Sequence, residues 1–198
     1  MDKNKIIAFF NNAARRWDDD SDDDPAVINV ILDRAGIGEG LSVLDVACGT
    51  GILFPFYLER KVSKITGIDI ASEMIARAKE KFSDPRIELI NEDVEKTAFP
   101  SLFDRCVVYN SFPHFGNPAG LVSVLAHQLV TGGRLTVAHG KSRAKIDEHH
   151  KNHASAVSRG LLPEGELADL FKPYFNVDVI ISDNRMFIVS GERKANPF

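Results

Sequence analysis

A chain of 198 residues makes one domain of ordinary size, able to bury roughly 70% of the surface it exposes when unfolded. With 44% hydrophobic and 26% charged residues it sits at the globular average, which excludes a disordered or fibrous chain. A net charge of −4 argues against wrapping nucleic acid, and two distant cysteines, Cys48 and Cys106, exclude a disulfide framework or a thiolate zinc site.

The opening IIAFFNNAARRW sets Ile6, Phe9, Phe10, Ala13, Ala14 and Trp17 at helical spacing, which predicts a short amphipathic helix. It lacks a signal-peptide core, and no run in the chain reaches the ~18 apolar residues of a membrane span. With reduced cysteines, this makes a cytoplasmic protein without a membrane partner the expectation. DDDSDDDP follows, six aspartates in seven residues before Pro25. Such a block repels itself and predicts a solvated hinge; the alternating ligands and central glycine of a calcium loop are missing. Pro25 then opens a helix, PAVINVILDRAGI, ended near Gly36 and Gly38.

From there strand and helix patterns alternate. LSVLDVA reads as a buried parallel strand, CGTG as a glycine turn and ILFPFYLERK as a helix. KITGIDI is a second strand, and Ser72 is expected to cap the helix SEMIARAKEKF. RIELIN and DRCVVYN are the next strands, PAGLVSVLAHQLV a helix, and GGRLTVAH a fifth strand. An irregular stretch runs to residue 162, before a helix PEGELADLFKPYF and two strands, NVDVIISD and RMFIVSGER. The tight Asp183-Asn184 turn between them requires antiparallel pairing. The alternation predicts a doubly wound α/β sheet, whose ligands bind beyond the carboxyl ends of the strands.

Chemistry is therefore sought after each strand. Gly49 and Gly51 let the backbone bend and approach a ligand closely, and the next helix offers unpaired N–H groups. Asp69 ends the second strand, where a carboxylate can accept both hydroxyls of a ribose. Asp93, with Asn91 and Glu92, follows the third. A dinucleotide fingerprint needs a third glycine, and Phe54 stands there instead, which speaks against a dehydrogenase.

The segments VLDVACGTG, GIDIASEMIARAKEK, NEDVEKTAFPSLFDRCVVYNSF and LVTGGRLTVAH, in that order, resemble the successive motifs of class I S-adenosylmethionine-dependent methyltransferases. The likeness covers about residues 25–140, and FNNAARRWDD looks like the N-terminal lid of the ubiquinone/menaquinone-type small-molecule branch. The resemblance implies a Rossmann-like, seven-stranded, mostly parallel sheet with an antiparallel C-terminal hairpin, and S-adenosyl-L-methionine as cofactor. It implies that Asp45, Ala47, Gly49 and Gly51 hold the methionine end and that Asp69 grips the ribose. Ile70 and Met74 would pack on the adenine, Asp93 would accept its amino group, and the Val94 N–H would meet a ring nitrogen. Asn110 and Ser111 would flank the reactive sulfur, and Trp17 is read equally as lid packing on the cofactor or as core.

A single domain is expected, divided into a lid helix and acidic hinge (1–24), a cofactor-binding core (25–140), a substrate lid (141–162) and a final helix and hairpin (163–198). The cofactor's methyl is already activated, so the protein must align the reactants and exclude water, with a general base needed only for a protonated acceptor. His114, in the loop Asn110-Ser111-Phe112-Pro113-His114-Phe115, is one candidate. If 143–157 is helical, Ile146, His149, His150, His153 and Val157 share a stripe that roofs the acceptor pocket, with His150 and His153 pointing inward. His149 and His153 have metal-sharing spacing, but the HExxH pattern is absent, so no metal ligand is assigned and a solvated lid is the plain alternative. No motif of nucleic-acid methylation is present. The expectation is methyl transfer to a small-molecule acceptor; the alternatives are a metal-assisted enzyme using the histidines and a non-catalytic cofactor-binding module.

Overall fold

A computed structural model describes residues 1–19, 22–149 and 157–195. Seven strands form one sheet: β1 (Ser42–Val46), β2 (Lys64–Asp69), β3 (Ile87–Asn91), β4 (Phe103–Tyr109), β5 (Leu129–His139), β6 (Phe175–Ser182) and β7 (Phe187–Arg193). Their order is β3-β2-β1-β4-β5-β7-β6. Strands β1 to β5 pair in parallel, and β7 lies antiparallel between β5 and β6, as the short 183–186 turn demands. That turn is held by Asp183, whose Oδ1 accepts from the Arg185 and Met186 N–H groups, both at 2.8 Å.

The helices are α1 (Lys3–Ala13), α2 (Pro25–Arg34), α3 (Phe54–Glu59), α4 (Ser72–Lys81), α5 (Pro118–His127), α6 (Arg143–His149) and α7 (Glu164–Phe171). The near-continuous apolar runs of β1, β2 and β4 are explained by burial on both sheet faces. On one face Ile31 and Leu32 of α2 and Phe54 and Tyr57 of α3 pack with Val43, Ile65 and Val107. On the other, Leu121 and Leu125 of α5 and Leu167 and Phe171 of α7 pack with Leu44, Val46, Leu135 and Val137. Each fully buried side chain of this size is worth about 1.5–3 kcal/mol, so the two cores outweigh any surface ion pair. The chain moves outward from β1 to β3 and then returns to β4, so the strand order reverses between β1 and β4. That gap is where an open α/β sheet leaves a crevice.

Two local expectations are corrected. Ser72 does not cap α4: the cap position is Ala71, which has no side-chain bond to give. Asn11 of α1 supplies it from 62 residues away, its Oδ1 accepting from the Glu73 N–H at 3.0 Å. The helix after the glycine turn is only six residues long, because Ile52 and Leu53 are spent on the turn and Pro55 sets the start. In the aspartate run Asp18, Asp22 and Asp24 are exposed, as a solvated segment would be, and Asp18, Asp22, Asp23 and Asp24 each also have a specific partner, described below. Phe54, where a dinucleotide site would have glycine, is accommodated because β2 carries Gly67 opposite it. A Cβ there would stand 2.6 Å from Phe54 Cζ and 2.9 Å from Cys48 Sγ.

Candidate functional site

Beyond the carboxyl ends of β1 to β5 lies a cavity of about 700 Å³, a size ordinary for a small-molecule site. Its floor is built where β1 ends. Asp45 is 2% exposed, and the chain then turns through left-handed backbone at Ala47 (φ 53°), Gly49 (φ 56°) and Gly51 (φ 85°). Gly51 serves the turn itself: a Cβ there would meet the Phe54 ring at 2.6 Å, and the residue does not line the cavity. Gly49 does line it, with the Trp17 indole above; Trp17 Nε1 would lie 3.8 Å from a Cβ at this position.

Asp69 closes β2. Its Oδ2 accepts from the Gly49 N–H at 2.9 Å and its Oδ1 from the Ala71 N–H at 2.8 Å. Each carboxylate oxygen has two acceptor directions, so one on each remains for a ligand hydroxyl. Burial pushes the Asp69 carboxyl above its ordinary value, and these backbone bonds only partly offset it. Burial and the neighbouring Asp69 charge push Asp45 up to about 8; the Tyr57 hydroxyl, outside hydrogen-bond geometry, eases it little. Two buried carboxylates side by side form a pocket in which a ligand cation is strongly favoured.

Ile70 and Met74 line the next wall, followed by Asp93 and Val94 after β3. Asp93 is not left to a ligand alone. Lys3 Nζ of α1 lies 2.5 Å from Asp93 Oδ2 and 2.6 Å from Glu95 Oε2, and Asp93 Oδ1 accepts from the Glu95 N–H at 3.2 Å. Burial works against the Lys3 charge, but the two carboxylates outweigh it and raise its pKa. Helix α1 thus closes over this half, with Ile6 against Val157 and Ala14 against Ala71 and Met74.

The other half lies after β4 and β5. Asn110 holds a left-handed turn (φ 51°), its Oδ1 accepting from the Gly140 N–H at 3.0 Å. The Ser111 hydroxyl is buried at the cavity wall, with no hydrogen-bond partner among the described residues. His114 Nδ1 lies 2.8 Å from the Val157 carbonyl, which assigns the proton to Nδ1, and its ring stands edge-on to Phe10 at 4.9 Å. His139, the buried last residue of β5, also faces the cavity.

The described aspartates of the acidic run hold to both of these halves. Asp18 accepts from the Thr50 hydroxyl at 2.5 Å and from Lys81 at 2.8 Å. Burial works against its charge, but Lys81 and Thr50 hold its carboxyl below the usual range. Asp22 pairs with Lys141 at 2.5 Å, and Asp23 accepts from the Tyr109 hydroxyl at 2.7 Å and the Asn110 amide at 3.0 Å. Burial and the Asp23 charge together push the Tyr109 hydroxyl far above its ordinary value. Asp24 caps α2 through the Ala26 N–H at 2.8 Å.

Of the residues singled out in the sequence, Trp17, Asp45, Ala47, Gly49, Asp69, Ile70, Met74, Asp93, Val94, Asn110, Ser111 and His114 all face this one cavity. His150 and His153 lie outside the described residues. Lys3, Asp22, Asp23, Tyr109 and His139 were missed. Only His139 carried a usable signal, since it ends a strand at the edge where ligands bind. Among the described residues no three His, Cys, Asp or Glu side chains cluster to hold a metal, and no helix is long and apolar enough to cross a membrane. Cys48 and Cys106 are both buried thiols, as small apolar residues would be.

Comparison with known proteins adds the following. The pattern described as "Methyltransferase domain" matches residues 43–133. The chain is 30% identical over 138 residues to malonyl-[acyl-carrier protein] O-methyltransferase of Acetivibrio thermocellus, covering 68% of this chain and 49% of that one. It is 34% identical over 116 residues to a ubiquinone biosynthesis O-methyltransferase of Serratia proteamaculans, covering 57% and 48%. The chain thus spans about half the length of the curated relatives it matches. Among solved structures, a chain from the complex between the Haloferax volcanii Trm112 methyltransferase activator and a methyltransferase superposes with a TM-score of 0.83 at 16% identity, over 96% of this chain and 98% of that chain. The magnesium protoporphyrin IX methyltransferase of Synechocystis PCC 6803 with bound S-adenosylmethionine superposes with 0.72 at 16%, over 98% of each. These two likenesses speak to the fold.

Proposed function

We propose, from the premise that this chain belongs to the class I S-adenosylmethionine-dependent methyltransferases, that it transfers a methyl group to a small-molecule acceptor. The observation that carries the reading is the buried Asp45–Asp69 pair beside the Gly49 turn at the crevice between β1 and β4. Two carboxylates buried there suit a ligand that brings an ammonium group and a ribose diol. When bound, S-adenosylmethionine supplies an electrophilic methyl group on a positive sulfur.

The chain's own residues then divide the work. Asp45 neutralises the ammonium, with Ala47 and Gly49 letting it approach, and Asp69 takes the ribose hydroxyls on its remaining lone pairs. Ile70 and Met74 sandwich the adenine against the lid, with Asp93 and the Val94 N–H at its polar edge. Asn110 and the buried Ser111 hydroxyl border the reacting end. Trp17 covers Gly49, and α1 with the aspartate strap keeps water out. His114 and Phe115 wall the acceptor side; His150 and His153 belong to the segment 141–162, which we read as the lid on that side. A cavity roofed in this way fits a small acceptor and gives a nucleic acid no entry. Two buried thiols suit a reducing cytosol.

The test is calorimetric titration with S-adenosylmethionine, followed by turnover to S-adenosylhomocysteine against a panel of phenols, thiols, amines and carboxylates. Micromolar binding with methylation of one class is expected. Binding without turnover on any class would leave a cofactor-sensing module in place of the enzyme, and affinity for NADH instead would overturn the reading.

A further inference from the structure

We propose that His139 is the catalytic residue that takes the proton from the acceptor's N–H or O–H group as the methyl arrives. The proposal rests on the methyltransferase reading and names the group that reading leaves open.

Position comes first. His139 ends β5, and Ala138 before it is paired with Tyr109 at the end of β4. The Asn110 N–H donates to the Ala138 carbonyl at 2.9 Å, which sets His139 level with Asn110 and one strand further from the glycine turn. It therefore stands on the acceptor side of the residues that border the reacting end. Side chains alternate along β5, so His139 continues the row of Leu135 and Val137, both fully buried in the core beneath α5 and α7. An apolar residue would extend that row without penalty. An imidazole stands there instead, 2% exposed, edge-on to Phe187 at 6.2 Å, and facing the cavity.

His114, a second imidazole at this end, is placed differently. Its Nδ1 is committed to the Val157 carbonyl and its ring is clamped by Phe10, so its orientation depends on α1. It suits a wall that closes with the lid, whereas His139 is held by the sheet itself, as a group that must be aligned beforehand should be. Among the described residues, the ionisable side chains sharing this end are Tyr109 on β4, His114 after it, Asp22 and Asp23 on the strap, and Lys141 after β5.

The step balances. The acceptor's lone pair forms the new bond to the methyl carbon, and the carbon–sulfur pair stays on sulfur as a thioether. The acceptor's proton passes to the imidazole and is later lost to water.

The test uses the whole protein with 13C-labelled histidine, resolving the six histidines by NMR and assigning His139 from His139→Gln, or from His139→Asn if the first does not fold. S-adenosylmethionine and S-adenosylhomocysteine differ by one methyl and one positive charge at sulfur. A cation close by disfavours the imidazolium, so His139 should titrate about one unit lower in the S-adenosylmethionine complex. An equal midpoint in both complexes, with both ligands bound in calorimetry, overturns the proposal alone. If neither ligand binds, the cofactor reading and the proposal fail together. On the acceptor class found by the panel, His139→Gln should lower kcat by about a hundredfold or more and remove the acid limb of the pH profile, with cofactor affinity unchanged. A wild-type rate and profile in that variant would also overturn it.

Discussion

Asp69 does two things with one carboxylate. It braces the Gly49 and Ala71 N–H groups, and it keeps acceptor capacity for a ligand. Asp69→Ala should therefore weaken S-adenosylmethionine binding more than tenfold in calorimetry, at about 1.5–3 kcal/mol per charged hydrogen bond. The same variant strands two amides, so its melting temperature should fall as well; affinity lost with no loss of stability would deny the bracing role. Asp45 makes a pH statement. Folded, it keeps its proton to about 8, while the unfolded chain releases it near 3.8. Between those values the native state binds the extra proton, so stability falls as pH rises through the window. Asp45→Asn should flatten that fall in thermal scans, and an identical slope in both proteins would remove it as the cause. Gly67→Ala drives a methyl into Phe54 and Cys48. At about 1–3 kcal/mol for overpacking, it should lower the melting temperature by several degrees, and Phe54→Leu in the same chain should recover part of it. Sequence reasoning met Phe54 as a departure from a glycine fingerprint. That its space comes from Gly67 on another strand depends on register, which no local pattern states.

At the scale of elements, the helices and strands of the sheet were legible because each carries its own period and punctuation. What the sequence hid was the contact of one element with another. Helix α1 was readable from Ile6, Phe9 and Phe10, but not its roles as cap for α4 through Asn11 and as latch through Lys3. Nor did the aspartate run disclose its partners: mutual repulsion argued for solvent, and the cations and hydroxyls that offset it lie 30 or more residues away. The latch is partly exposed, so it is worth only about 0.2–1 kcal/mol per pair and is screened by salt. Lys3→Ala should raise amide exchange in α1 and at Glu73 a few-fold while leaving the sheet protected. Deleting residues 1–17 should keep the sheet folded, because the two main cores do not contain α1, and should impair turnover. Global unfolding of the deletion would make α1 part of the core instead of a lid.

At the scale of the whole molecule, the parallel sheet followed from alternation and the antiparallel pairing of the last two strands from the short turn between them; the strand order and its reversal between β1 and β4 did not, since they depend on which strands pair across the sheet, which no local pattern states. One feature of this architecture has a kinetic side. Asp18 is fastened to Thr50 and Lys81 on one bank of the reversal, and Asp22 and Asp23 to Lys141, Tyr109 and Asn110 on the other. Contacts that a ligand leaves in place as it passes add nothing to the preference for it; they set only the height of the pass that it must cross. Loosening the strap should then quicken traffic in both directions equally. For Asp18→Asn and Asp23→Asn, stopped-flow should find S-adenosylhomocysteine arriving and leaving faster by a common factor, with Kd where it began. A change in departure alone would mean that the strap grips the ligand and does not merely bar its way.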